Sequence, residues 1–346
     1  KTTNSFKSGY FASYHIYPYY PDYLNYDSDY DNYLDENGNK NTYQAYLKKI
    51  NEHHSIPVVV SEFGVPSSRG MAQSDKNMGR NQGNLNETEQ GEAIVDSYND
   101  IKSAGIDNAI IFSWQDEWFK RTWNTMHSVD LLKTPYWSDV QTNEQHFGLL
   151  TFDPGNKKSI CYVDGDVKDW KDTDRIVEQD GYSLSSKYDE KFVYFYINNK
   201  DYDGEKLYIP IDTTQKSGSK YSSKHKTRFN RNADFLIVIN GKNSSHIYVQ
   251  ERYNTLRATF GYETNDVNSY LTPPKKDNSE FERINLLLQT ASMDSRFIRS
   301  GSAEVYETGR LRYGNANPDS KDFDSLADYI INGDDIEIRI PWGLLN

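Results

Sequence analysis

Hydrophobic and polar positions change period about halfway along the chain. In NTYQAYLKKINEHH, residues 41–54, Tyr43, Tyr46, Leu47 and Ile50 fall at i, i+3, i+4 and i+7, the stripe of one helix face. Val58, Val59 and Val60 follow without alternation, so 56–62 reads as a short strand buried on both faces. In NETEQGEAIVDSYNDIKSAG, Asn86 with Glu89 three residues later is a capping-box signature. Ile94, Val95, Tyr98 and Ile101 share a face there, and Gly105 ends the helix. IDNAIIFSW, 106–114, is again a continuous apolar strand. Helix, strand, helix and strand, with short connections at one end and long polar loops at the other, predict part of a βα barrel.

After about residue 160 the helical period disappears. FVYFYIN, KLYIPID, DFLIVIN, HIYVQERY, INLLLQT, AEVYETGRLRY and DIEIRIPW are strand-length runs bounded by Gly, Asn, Asp or Ser. Asn240-Gly241 between two of them is a hairpin signal. In the last run Ile336, Ile338 and Ile340 alternate with Glu337 and Arg339, which predicts one wet face. Seven or more strands predict an antiparallel sandwich over 160–346. The boundary is expected in FDPGNKKS, 152–159, and KSGSKYSSKHK, 216–226, is expected to be a solvated loop.

The 346-residue chain has room for two cores, and its formal charge of −12 with no basic stripe argues against a nucleic-acid partner. The single cysteine, Cys161, excludes an intrachain disulfide and fits no metal-ligand spacing. No run of about 18 apolar residues is present, so no membrane span is expected. The N-terminal KTTNSFKSGYF does not read as a signal peptide, and residue 1 is expected to lie inside a longer protein. Aromatic content of 14%, with 28 Tyr, supplies rings that pack cores and also stack on sugars.

The candidate chemistry lies where the strands end. Glu62 closes the valine strand and is followed by Phe63-Gly64; alone, it reads as readily as an acid satisfied by a neighbouring Arg or backbone N–H. FASYHIYPYYPDY supplies His15 and Tyr17, VVVSEFG supplies Glu62, and IIFSWQDEWF supplies Trp114. This ordered set resembles the sixth, seventh and eighth strands of clan A glycoside hydrolases, in particular family 5-like enzymes, over roughly residues 8–150. The resemblance implies the C-terminal portion of a (β/α)8 TIM barrel in residues 1–155. It implies Glu62 as the nucleophile of a retaining mechanism, His15 and Tyr17 orienting it, and Trp114 as the floor of the sugar subsite. Asp116, Glu117 and Trp118 are expected to bind substrate, and FKRTWNT with Trp118 and Trp137 to form a cleft wall or a lid. The clan's acid/base Glu belongs to a fourth strand, so it and the missing barrel strands are expected from an upstream segment or a second chain.

In the second half, YVDGDVKDW, LYIPIDT, ADFLIVING and IEIRIPWGLL resemble family 9-type carbohydrate-binding modules. Asp164, Gly165 and Trp170 match the opening signature, and Ile338, Ile340, Pro341 and Trp342 the closing one. The pair of stacking tryptophans used by such modules is absent, leaving Tyr202, Tyr208 or Tyr253 as substitutes. The resemblance implies no catalytic cofactor and a structural calcium in the sandwich, for which no ligand spacing matches. Together the two resemblances imply a hydrolase of β-linked poly- or oligosaccharides, extracellular or at the cell surface. The alternatives are a non-catalytic glycan-binding scaffold with a degenerate barrel and a binding module driven by the sandwich.

Overall fold

The computed structural model describes residues 2–345 apart from 107, 131, 133–137, 152–158, 265–270, 294–295 and 297–298. The expected linker therefore lies outside the described residues save for Ser159, as does Trp137. Two compact units are found, Lys1–Arg121 with Thr142–Phe152 and Thr122–Gln141 with Asp153–Asn346. Residues 122–141 thus group with the second unit although they precede the expected boundary. Among the described residues no helix is long and apolar enough to cross a membrane.

The first unit contains β1 (Ala12–His15), α1 (Ser28–Asp31), α2 (Thr42–His53), β2 (Val58–Phe63), β3 (Ser68–Gln73), β4 (Gln82–Leu85), α3 (Glu87–Ser103) and β5 (Asn108–Ile111). Helix α2 starts where the Asn41 side chain accepts from Gln44 N at 2.9 Å. At α3 both halves of the capping box form: Asn86 Oδ1 accepts from Glu89 N at 2.8 Å, and Glu89 Oε2 from Asn86 N at 2.7 Å. Strands β1, β2 and β5 make a parallel sheet in the order β1-β2-β5. Tyr43, Leu47, Ile94 and Ile101 from the helices share one core with Val58, Val60 and Phe63. The valine strand is buried on that face alone, for Val59 is only half-buried and Ile110 on β5 is 58% exposed.

This corrects the barrel expectation. No portion of a (β/α)8 barrel is present among the described residues: the three parallel strands remain an open sheet with β1 and β5 as edges. The polar, Gly-rich stretch after β2 is not a loop but pairs as a separate antiparallel hairpin, β3–β4. The described residues include four α-helices and several small β-sheets. The helical periods of α2 and α3 specify two crossovers between parallel neighbours, and closure requires a strand number, tilt and stagger that two crossovers do not fix.

The second unit contains β6 (Arg175–Gln179), β7 (Tyr182–Tyr188), β8 (Phe192–Asn199), β9 (Leu207–Ile211), β10 (Ser219–Ser222), β11 (Thr227–Ala233), β12 (Phe235–Ile239), β13 (His246–Gln250), α4 (Thr255–Phe260), β14 (Phe281–Arg283), β15 (Asn285–Gln289), β16 (Ser292–Met293), β17 (Arg299–Ser300), β18 (Glu304–Glu307), β19 (Tyr329–Asn332) and β20 (Asp335–Pro341). A five-stranded antiparallel sheet, β19-β20-β8-β7-β6, and a four-stranded one, β14-β13-β12-β9, contribute to a common core. Phe195, Ile197, Ile336, Ile338 and Ile340 come from the first, and Ile209, Phe235, Ile237, Ile239, Ile247 and Val249 from the second. The arrangement is sandwich-like, with one apolar layer between two sheets. Strand β10 lies inside 216–226, so that segment is not simply a solvated loop.

The predicted wet face of β20 is also corrected, since Glu337 is 1% and Arg339 8% exposed. Trp170 Nε1 donates to Glu337 Oε1 at 2.8 Å, and the Gly165 and Asp164 amides donate to Oε2 at 2.8 and 3.3 Å. Arg339 is satisfied by the carbonyls of Ala327 and Ser325 at 2.7 and 2.8 Å. The alternation in DIEIRIPW is therefore real, but segment 161–170 covers Glu337 and the carbonyls of Ser325 and Ala327 take up Arg339, so both become buried, hydrogen-bonded groups.

Candidate active site

The β1–β2 register sets His15 opposite Glu62 at the end of the valine strand. Ile16 N donates to Glu62 O at 3.0 Å, which carries the pairing past the end of β1. Tyr17, two residues beyond His15, donates its hydroxyl to Glu62 Oε2 at 2.8 Å, and His15 Nδ1 lies 3.1 Å from the same oxygen. Both contacts fall on one oxygen. They fix the carboxylate rotamer and leave Oε1 as the oxygen that neither engages. Burial raises the Tyr17 phenol well above its ordinary range, and the Glu62 hydrogen bond and charge raise it further, so Tyr17 is held as a donor. Its ring stacks on Tyr19 at 5.4 Å and meets Phe147 edge-on at 6.1 Å. The Glu62 side chain is 30% exposed, enough to be reached by a ligand.

Gly64 explains the Glu-Phe-Gly order. A Cβ on residue 64 would sit 2.2 Å from the Phe112 carbonyl oxygen, where the chain past β5 runs against the chain past β2. Phe112 N donates to Phe63 O at 2.8 Å in the same place. We expect Gly64→Ala to cost about 1–3 kcal/mol, because backbone on both sides would have to part. Urea unfolding followed by circular dichroism measures this, and an unchanged midpoint would show that the two segments have room to spare.

The other expected site residues are placed differently from one another. Trp114 follows β5, the neighbour of β2, with 68% of its surface exposed. Asp116 accepts from Gly148 N at 2.9 Å and stands 3.8 Å from His146 Nδ1, so it pins the returning segment 146–148. Glu117 pairs with Lys120 at 3.0 Å. Trp118 is 42% exposed, meets Phe119 edge-on at 5.8 Å, and its carbonyl accepts from Gln145 Nε2 at 2.9 Å. The FKRTWNT segment is split between the units: Asn124 Nδ2 donates to Leu287 O at 2.8 Å and Trp123 meets Phe260 at 6.5 Å, both within the second unit.

In the sandwich-like unit, Tyr202 and Tyr253 pack against the core, and Tyr208 meets the His225 ring at 5.7 Å. Trp342 Nε1 donates to Asp189 O at 2.8 Å, a structural bond like that of Trp170. Among the described residues no group of three or more His, Cys, Asp or Glu could hold a metal ion, and Asp164 accepts from Asn317 Nδ2 at 2.7 Å instead.

Sequence reasoning missed Glu144. It lies on a short 3-10 turn, Asn143–Gln145, and its Oε1 accepts from Gln82 Nε2 of β4 at 2.5 Å. Lys120 Nζ is 3.9 Å from its other oxygen. Burial raises the Glu144 pKa; Lys120 opposes this, and the charges of Glu117 and Glu62 raise it further. Eighty-two positions separate Glu62 from Glu144 (144 − 62) and no strand carries the second residue, so the sequence offers no signal that joins them. No family model, curated protein or solved structure matches the chain.

Proposed function

We propose that the protein is a retaining glycoside hydrolase acting on a β-linked poly- or oligosaccharide, with Glu62 as the nucleophile. The observation that carries this reading is the convergence of Tyr17 and His15 on one oxygen of a part-exposed carboxylate. A displacement at an anomeric carbon needs an ionised carboxylate held in one rotamer, with a second carboxyl on the other side of the bond to protonate the departing oxygen. Tyr17 holds the carboxylate in place by donating to it, and the exposed face of Trp114 offers sugar C–H groups an apolar platform. The reading stands on side chains and requires no barrel. It places the protein outside the cell or at its surface, where polysaccharides are met. It also takes the exposed sheet face around Ile110 to be covered by further polypeptide, from an upstream segment or a second chain.

Labelling tests the assignment. The full chain incubated with 2-deoxy-2-fluoro β-glycosyl fluorides of glucose, xylose and mannose should accumulate a covalent glycosyl adduct. Peptide mapping should place it on Glu62. A label on Asp116 or Glu117 would overturn the assignment. No label with any sugar, together with retained binding of oligosaccharides, would instead support a glycan-binding scaffold.

A further inference from the structure

We propose that Glu144 is the proton donor that works opposite Glu62, so that this chain itself holds both carboxyl groups of the reaction. The inference rests on the glycosidase reading of Glu62 and replaces the acid expected from an upstream strand.

The placement comes from the strip of chain that returns past the end of β5. Glu117 N donates to Gln145 O at 3.0 Å and Gln145 Nε2 to Trp118 O at 2.9 Å, which fixes the turn carrying Glu144. Three residues on, Phe147 packs against both Phe112, at 5.2 Å, and the Tyr17 ring that holds Glu62. The Glu144 carboxyl is oriented by Gln82 and flanked by Lys120, and its side chain is 27% exposed, so a ligand can reach it.

The two carboxyls are held by different partners, and paired carboxyls can divide acid and nucleophile roles between them. Tyr17 and His15 both hold one oxygen of Glu62, whereas burial raises the Glu144 pKa, Lys120 and the Gln82 hydrogen bond lower it, and the like charges of Glu117 and Glu62 raise it, for a net rise that favours the protonated form of Glu144. Its negative charge also reaches Tyr17 and Tyr19, where it raises the phenol pKa. Of the nearby acids Asp116 is the less accessible, its side chain 11% exposed and accepting from Gly148 N at 2.9 Å.

As Glu62 bonds to the anomeric carbon, the bond from that carbon to the glycosidic oxygen breaks and the Glu144 proton passes to the leaving oxygen. Water then attacks the anomeric carbon, gives one proton back to Glu144, and releases Glu62, so one water is consumed for each bond cleaved.

Leaving-group dependence reads this role. With phenyl β-glycosides of glucose, xylose and mannose, whose leaving group needs a proton, Glu144→Gln should lower kcat/KM by at least about 100-fold. With the 2,4-dinitrophenyl β-glycosides, which need none, the loss should stay below about tenfold. The basic limb of the pH profile should vanish, and azide should restore turnover and give a β-glycosyl azide. Equal losses on both substrates, or an unchanged basic limb, would overturn the proposal while a 2-fluoro label on Glu62 kept the underlying reading intact. If no glycoside is turned over and no label forms, that reading fails and takes this one with it. A carboxyl 13C titration of the full chain supplies a readout independent of activity: Glu62→Gln should move the Glu144 midpoint to lower pH, and an unmoved midpoint would show that the two groups do not work as a pair.

Discussion

Glu62→Gln should abolish glycoside hydrolysis while leaving the fold intact. An amide oxygen is a far poorer nucleophile than a carboxylate, and the loss in kcat/KM should be at least about 1,000-fold, roughly 4 kcal/mol of transition-state stabilisation. The fold should survive because the Gln side chain has the same shape and its Oε1 can still accept from Tyr17, the shorter of the two contacts on the carboxylate. His15, 61% exposed, can turn into solvent at little cost. Tyr17→Phe should lower activity less than Glu62→Gln, since it removes an orienting donor and not the reacting atom. The comparison uses purified full-length variants with matched circular dichroism and the same aryl glycosides. Full activity in the Gln variant would end the nucleophile assignment, and a collapsed spectrum would show that the carboxylate is structural.

What the sequence revealed depended on how local the cause was. Helices α2 and α3 lie where periodicity and capping put them, because both signals are contained within a single turn or two of chain. Tyr17 and Glu62 were legible as a pair only through their order along the chain, yet the β1–β2 register does bring them within hydrogen-bond distance. Closure of a sheet is a global property, and the β1-β2-β5 sheet stays open even though its local units are correct in kind. The same limit hid Glu144 and misread Glu337. One becomes relevant through the turn at 143–145, and the other is enclosed by a segment about 170 residues upstream, which no pattern in DIEIRIPW records.

Glu337 supplies the largest stability effect we expect in the second unit. The residue is 1% exposed, and its carboxyl binds three donors that all belong to one covering segment: the Asp164 and Gly165 amides and the Trp170 indole. Lys187 lies 4.3 Å from the centre of the Trp170 ring and donates to Asp169 O at 2.7 Å, so the segment is held from both sides. Glu337→Ala would strand all three donors and should cost roughly 3–5 kcal/mol, with hydrogen exchange at Asp164 and Gly165 rising in step. The pH dependence has a definite sign. Burial pushes the Glu337 carboxyl up to about 7, against the three hydrogen bonds that pull it down, and the charge of Asp164 adds to the rise. Below pH 4.5 the group is protonated in the folded and unfolded chain alike and contributes no slope. Between 4.5 and about 7 the unfolded chain gives up the proton while the folded chain keeps it, so stability falls as pH rises, by about 3 kcal/mol over the window. Glu337→Gln carries no such proton and should flatten that part of the profile, although its amide faces an N–H donor and lowers stability throughout. Urea midpoints of wild type and Glu337→Gln at pH 5, 6, 7 and 8 isolate the difference, because the other titrating groups are common to both proteins. Parallel profiles would mean that Glu337 is already ionised at pH 5 and that the three donors, not burial, set its charge.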